Sequence, residues 1–211
     1  DKKQAVVTFE QKGQEKQVVA DVVLVATGRA ANVEGLGLEV AGINTIKQGI
    51  ETNDYYETNV PGVYAIGDVN GKQMLAHAAS FQGLHVLNHI MNKQDKIRFD
   101  IMPAAVFTYP EAGSVGMSED ACKKEGIKCI VKKGFFRSNG MALAMEETEG
   151  MLKVMADENG KIIGCHVFGA HSADITQEVA VLMNNDATLN DLRDMIHIHP
   201  TIGEVLLETI I

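Results

Sequence analysis

The sequence Val63-Tyr64-Ala65-Ile66-Gly67-Asp68 joins a short apolar run to a glycine and an acidic residue, and Met74-Leu75-Ala76-His77 follows shortly after it. This pattern predicts a buried strand whose carboxyl end presents Asp68 where ligands bind in open α/β sheets. The helix predicted over Met74–Met91 would offer free N–H groups and the positive end of its dipole to an electron-rich ring or an anion. The alternative interpretation is that Gly67-Asp68 is only a turn and Asp68 only a turn former.

The composition is that of a globular protein, and it excludes several classes of function. Of the 211 residues, 45% are hydrophobic and 22% charged, which argues against disorder. The net charge of −9 leaves no basic surplus to neutralise phosphates, so we expect no nucleic-acid partner. No apolar run approaches the roughly 20 residues that span a bilayer, so we expect no membrane contact. Three cysteines without a CxxC pair, and no signal peptide at Asp1–Gln4, favour a reducing cytoplasm.

The two halves of the chain differ in their predicted structure. In the first half, Gln4–Gln11 and Gln17–Ala26 are predicted strands, and Asp21–Ala26 is apolar on both faces, as in a buried central strand. In the second half, strands in meander order with helices before and after them predict an α+β domain around an antiparallel sheet. The predicted strands there are Ala104–Thr108, Lys128–Phe136, Gly150–Asp157 and Lys161–Phe168, and the predicted helix caps are Ser118, Ser172 and Thr188.

Five motifs occur in one order along nearly the whole chain, and together they carry a family resemblance. They are Ala26–Arg29, Gly62–Val69, Met74–Ala79, Phe107–Gly116 and His197–Glu204. In this arrangement the sequence resembles the disulfide-reducing flavoprotein oxidoreductases, and within that group the dihydrolipoamide dehydrogenases most closely. The resemblance implies that residues 1–27 end a Rossmann-like NAD-binding domain. It further implies that residues 28–100 form the carboxyl-terminal part of a FAD-binding domain, and residues 101–211 an interface domain that builds a homodimer.

The resemblance also implies contacts with the two cofactors, FAD and NAD. Gly28 would lie close to the nicotinamide nucleotide, and Asp68 would bond the ribityl chain or the adjoining phosphate region of FAD. The backbone of Met74, Leu75, Ala76 and His77 would meet the pyrimidine edge of the flavin. His85 and His89 have the spacing of metal ligands on a helix, but no third ligand has suitable spacing, so we expect no metal site.

His199 and Glu204 are the candidate catalytic pair. A histidine can take and return a proton near neutral pH, and a thiol attacks a disulfide only as its thiolate. A carboxylate on the other ring nitrogen would fix the tautomer and favour the imidazolium. By resemblance, His199 is the base and Glu204 its partner, acting on a flavin and a disulfide of the other subunit, while His197 is structural. From the residues alone, Thr201–Glu204 fits a capping box instead.

The chain lacks a GxGxxG fingerprint and the paired redox cysteines of this family. We therefore expect each composite site to be half present, and these residues alone to be inactive while the whole protein is an enzyme. The expected partners are a second copy and the lipoyl domain of a 2-oxo acid dehydrogenase or glycine cleavage complex. Two alternatives remain: a glutathione-reductase-like disulfide reductase, and a purely structural dimerisation module.

Overall fold

The computed structural model describes residues 4–211 and divides the chain into two compact units, residues 1–72 and Gln73–Ile211. The expectation of no signal peptide rests largely on Asp1–Lys3, which lie outside the described residues. Within the described residues, no helix is both long and apolar enough to cross a membrane.

The first unit contains two small antiparallel hairpins. Strands β1 (Ala5–Gln11) and β2 (Gln14–Ala20) pair from Ala5↔Ala20 to Gln11↔Gln14 around a tight turn. Strands β3 (Thr45–Ile46) and β4 (Gly49–Ile50) form the second pair. A small apolar cluster gathers the buried side chains of Leu38, Ile50 and Ala65.

Two strand predictions in this unit are wrong. The second strand stops at Ala20, and residues 22–30 form no strand, so Val22, Leu24 and Val25 are exposed. Val63–Ile66 makes only one antiparallel bridge, between Tyr64 and Glu57, although Ala65 is buried. A strand needs a hydrogen-bonding neighbour, and no strand among the described residues lies beside either run.

The second unit is built on an antiparallel sheet, as the sequence predicts. The expected meander order is wrong, because a strand that was not predicted, Ala112–Gly116, lies between the first strand of this sheet and the last. Its five strands lie in the order β5-β6-β9-β8-β7. Opposite residues in an antiparallel ladder share a face, so Gly113, Val167, Leu152 and Gly134 form one row across four strands. The strands are β5 (Ala104–Val106), β6 (Ala112–Gly116), β7 (Ile130–Phe135), β8 (Met151–Ala156) and β9 (Ile162–Phe168).

Six helices accompany the sheet, and two of them, α4 and α6, cover the face that carries this row. Gly113 and Gly134 permit the close approach, because a Cβ at either position would overlap the hydroxyl of Thr176 or Thr209. The opposite face is more polar, as expected for an antiparallel sheet with one solvated side. The helices are α1 (Ala76–Ile90), α2 (Glu119–Glu125), α3 (Gly140–Ala144), α4 (Ser172–Asn184), α5 (Leu189–Arg193) and α6 (Glu204–Ile210).

Two of the three predicted caps are confirmed. Ser118 accepts a hydrogen bond from Ala121 N, and Thr188 forms a capping box with Asp191. The prediction for Ser172 is wrong, because this residue is already inside α4 and its hydroxyl donates to Gly169 O at 2.7 Å. His171 occupies the cap position in a left-handed conformation, with φ 57°.

Candidate active site

His199 and Glu204 lie against each other in the segment that leads into α6. His199 Nδ1 is 3.0 Å from Glu204 Oε1 and 3.2 Å from Oε2. The histidine side chain is 79% exposed, whereas that of Glu204 is 18% exposed. The contact expected from the sequence is therefore present, with the acid at the first position of the helix and the base on the loop before it.

This geometry assigns different roles to the two ring nitrogens of His199. The carboxylate accepts a hydrogen bond from Nδ1–H, so the neutral ring carries its lone pair on Nε2. Within the described residues no side chain or carbonyl is hydrogen-bonded to Nε2. The backbone N–H of Thr201, and then the His199 ring, lower the pKa of Glu204, so its carboxylate is ionised at neutral pH. Such a pair can accept a proton at Nε2 and stabilise the resulting imidazolium.

Glu204 also performs part of the capping that the alternative interpretation predicts. Its Oε2 accepts the backbone N–H of Thr201 at 2.8 Å. The reciprocal half of a capping box is missing among the described residues, because Gly203 is the N-cap of α6 and no side chain caps this helix, while the Thr201 hydroxyl donates to Ile198 O. One carboxylate thus orients the histidine and closes the turn before α6, so the two interpretations are compatible.

A buried asparagine that the sequence analysis missed holds this turn from the sheet side. Asn139 is fully buried, and its Nδ2 donates to Thr201 O at 3.2 Å and to Glu208 Oε1 at 3.1 Å. Its Oδ1 accepts the N–H groups of Met141 and Ala142, which caps α3. The only signal in the sequence was an asparagine at a helix start, which predicts the cap but not the long-range contacts.

Asp68 lies on a 3₁₀ turn, Gly67–Asn70, in the first unit. Its carboxylate is about half exposed and lies 3.9 Å from Arg29 Nη1. Asp68 O also accepts the N–H of Gly71, so the turn interpretation is correct for the backbone while the side chain stays accessible. Gly28, beside Arg29, has φ +87°, which favours glycine. An exposed carboxylate of this kind suits the hydroxyl groups of a nucleotide.

The start of α1, in the second unit, matches the other predicted flavin contact. Leu75 is the N-cap and provides no side-chain cap, so the first-turn N–H groups remain available to a ligand. The His77 ring is engaged, with Nε2 2.8 Å from Pro103 O, so this residue would offer its backbone to a cofactor. Donors of this type suit the carbonyl oxygens and nitrogens of a flavin ring. The roles of Met74, Leu75, Ala76 and His77 stay predictions.

Among residues 4–211, the other histidine and cysteine candidates provide no metal cluster, and two of the three cysteines are buried. His85 Nδ1 is 2.9 Å from Asp95 Oδ2, and among residues 4–211 no group of three His, Cys, Asp or Glu side chains could hold a metal ion. Burial raises the pKa of Cys165 to about 12, and burial also raises that of Cys122. These two thiols are therefore poor nucleophiles at neutral pH.

Comparison with known proteins identifies the family to which the chain is similar. Residues 102–210 match the dimerisation domain of the pyridine nucleotide-disulphide oxidoreductases, and residues 1–83 match the model named pyridine nucleotide-disulphide oxidoreductase. The chain is 41% identical over 204 residues to dihydrolipoyl dehydrogenase of Bacillus subtilis, covering 96% of this chain and 43% of the relative. It is 39% identical over 191 residues to dihydrolipoyl dehydrogenase of Chlamydia muridarum, covering 90% and 41%.

Solved structures also match the chain. The crystal structure of LpdA from Mycobacterium tuberculosis superposes with a TM-score of 0.83 at 26% identity, covering 92% of this chain and 43% of that chain. The chain thus spans less than half the length of the proteins that it matches. The domain boundaries predicted near residues 27 and 100 stay predictions.

Proposed function

Because the chain belongs to the pyridine nucleotide-disulphide oxidoreductases, we propose that it forms one side of the catalytic centre of a dihydrolipoyl dehydrogenase. The whole protein would oxidise dihydrolipoamide and reduce NAD through FAD and a redox disulfide. The relatives named above support this assignment, and they are more than twice as long as the chain. The 211 residues alone would lack the disulfide and most of both nucleotide sites.

His199 and Glu204 would handle the proton of this reaction. Nε2 of His199 takes the proton from one thiol of dihydrolipoamide, and the thiolate attacks the redox disulfide, which forms a mixed disulfide and releases one protein sulfur. The second substrate thiol gives its proton to the protein sulfur released first and attacks the substrate sulfur of the mixed disulfide, so the lipoamide ring closes as the mixed disulfide breaks. One protein thiol and one protein thiolate remain, with the first proton on His199. FAD, when bound, would supply the redox chemistry that connects these two protein sulfurs to NAD⁺. The observation that carries the proposal is the Nδ1–carboxylate contact, which leaves Nε2 open.

The remaining residues would bind and assemble. Asp68 and the first turn of α1 would hold FAD, and Gly28 would lie near NAD. Dimerisation is supported by the match to a dimerisation domain and by large apolar side chains that a single copy leaves exposed. These include Val106, Phe107, Tyr109, Ile196 and Ile198. A lipoyl domain would deliver the substrate, and the cytoplasm would be the site of action.

The test uses the whole protein as a flavin-loaded dimer with His199→Gln. We expect dihydrolipoamide oxidation to fall at least about 100-fold, because general-base catalysis supplies factors of this size. The matched control, His171→Gln, changes an exposed histidine paired with Asp174 and should leave the rate unchanged. Loss of the dimer with loss of activity would favour the structural-module alternative. Turnover of glutathione disulfide rather than lipoamide would favour the glutathione-reductase-like one.

A further inference from the structure

His197 is buried within a segment whose neighbouring side chains are exposed. Residues 194–203 link α5 to α6 without regular secondary structure. Ile196 is 100% exposed and Ile198 79% exposed, whereas the His197 side chain is only 8% exposed. The same segment carries His199 two residues further on. The buried His197 ring can therefore hold the backbone of this segment in place.

Both groups beside the His197 ring accept hydrogen bonds and cannot donate them. Nδ1 lies 3.2 Å from Met195 O, and Nε2 lies 3.2 Å from Glu178 Oε1 on α4. The second contact has the distance of an ion pair without the alignment of a hydrogen bond, and the buried Nε2 has no hydrogen-bond partner among the described residues. The ring is thus placed to bridge the loop to a helix.

Helix α4 is a firm support for such a bridge. It has 13 residues, and its inner face is buried against the sheet through Ile175, Val179 and Leu182. Glu178 projects from the same helix toward the loop, and its Oε2 is close to Gly203, the residue before α6. A displacement of the Glu178 carboxylate would therefore affect residues on both sides of His199, namely His197 before it and Gly203 after it.

We infer that Glu178 is a positioning residue for the His199–Glu204 pair, acting through the His197 ring. The inference rests on the proposed function, since it concerns the same proton transfer. His197 is also close enough to Glu204 to add to the lowering of its pKa, after the larger effects of Thr201 and His199. Glu178 thus bears on the position of the base through the contact of its carboxylate with the His197 ring.

The experiment uses the whole flavin-loaded dimer with Glu178→Ala, Glu178→Gln and, as a matched control, Gln177→Ala. Gln177 is the exposed neighbour on the same helix. Two reactions are measured: dihydrolipoamide oxidation by NAD, and reduction of ferricyanide by NADH, which takes electrons from the flavin without thiol chemistry. The dimer and the thermal midpoint are measured on each variant.

We expect Glu178→Ala to lower kcat for dihydrolipoamide about tenfold, because a displacement of about 1 Å can cost about 100-fold and the loss of one of the contacts that hold the loop should cause a smaller displacement. KM for NAD and the ferricyanide rate should stay unchanged. Glu178→Gln keeps an acceptor oxygen, so its kcat should lie between those of the wild type and the alanine variant. If the alanine variant does not fold, the kcat of Glu178→Gln is the test of the inference. Gln177→Ala should match the wild type.

Wild-type kcat in both Glu178 variants would overturn the inference, as would an equal loss of ferricyanide reduction or a loss of the dimer. Failure of the proposed function gives a different result, because the unmodified protein would then lack dihydrolipoamide oxidation before any substitution is made.

Discussion

Replacing Asn139 tests whether one buried amide supports both the fold and the geometry of the catalytic pair. Asn139→Ala removes two donors, to Thr201 O and Glu208 Oε1, and one acceptor that caps α3. Asn139→Asp keeps the acceptor but loses both donors and sets a carboxylate against Glu208. The two variants therefore separate the cap from the long-range contacts.

The expected cost follows from these bonds. Loss of a helix cap costs about 1 kcal/mol. The two other bonds contribute about 1 kcal/mol each, and their buried setting adds to the penalty for unpaired groups. We expect Asn139→Ala to destabilise the unit that carries it, Gln73–Ile211, by about 3 kcal/mol. A cooperatively unfolding unit of roughly 150–250 residues, a range this unit approaches, loses about 2–4 °C in Tm per kcal/mol. The predicted fall in Tm is about 6–12 °C.

The assay is the thermal unfolding of the whole protein, followed by kcat for dihydrolipoamide at a temperature where each variant is folded. The control is Asn185→Ala, which removes an exposed bond to Val181 O and should cost less than about 0.5 kcal/mol. Asn139→Asp should lose activity at least as strongly as Asn139→Ala, because the repelled carboxylate displaces the turn. A Tm for Asn139→Ala within about 2 °C of the wild type would refute the reasoning.

Three further predictions concern other parts of the chain. Gly134→Ala should lower Tm, because its Cβ overlaps the Thr209 hydroxyl, and adding Thr209→Ala should recover part of the loss in the same unfolding assay. Folding lowers the pKa of Glu204, so its carboxylate stabilises the protein at a pH above the usual glutamate pKa, and this contribution is lost as the pH falls through the pKa of the folded state. The difference in Tm between the wild type and Glu204→Gln should therefore become smaller in acid. Alkylation at neutral pH followed by mass spectrometry should modify Cys129 before Cys165, whose burial raises its pKa to about 12, and equal rates would contradict this.

The parts of the fold that the sequence predicts correctly are those in which all partners are close in the chain. Strands β8 and β9 pair across a short loop signalled by Asn159-Gly160, and the Thr188 capping box spans four residues. The contact between His199 and Glu204 also spans only six residues. Local chemistry is enough to predict such features.

The failures involve partners that the local sequence cannot supply. An apolar run such as Asp21–Ala26 indicates that burial is favoured, but it does not say which strand provides the hydrogen bonds. Asn139 looks like an ordinary cap, and its bonds to Thr201 and Glu208 arise only when residues 62 and 69 positions away fold back onto it. The bridge from Glu178 to His197 likewise joins a helix to a loop across the fold.

The anchoring of Glu204 in α6 makes the acid–base geometry depend on a very short helix. Seven residues do not hold a helix in water, so α6 persists because Val205, Leu206 and Ile210 are buried. Removing the last residues of α6, or replacing its buried apolar side chains by polar ones, would unwind the helix and release the Glu204 carboxylate. Proton transfer would then be lost although His199 and Glu204 were both still present in the chain. The buried apolar side chains of α6 thus determine the position of Glu204, and through it the orientation of the His199 ring, as much as the catalytic residues themselves do.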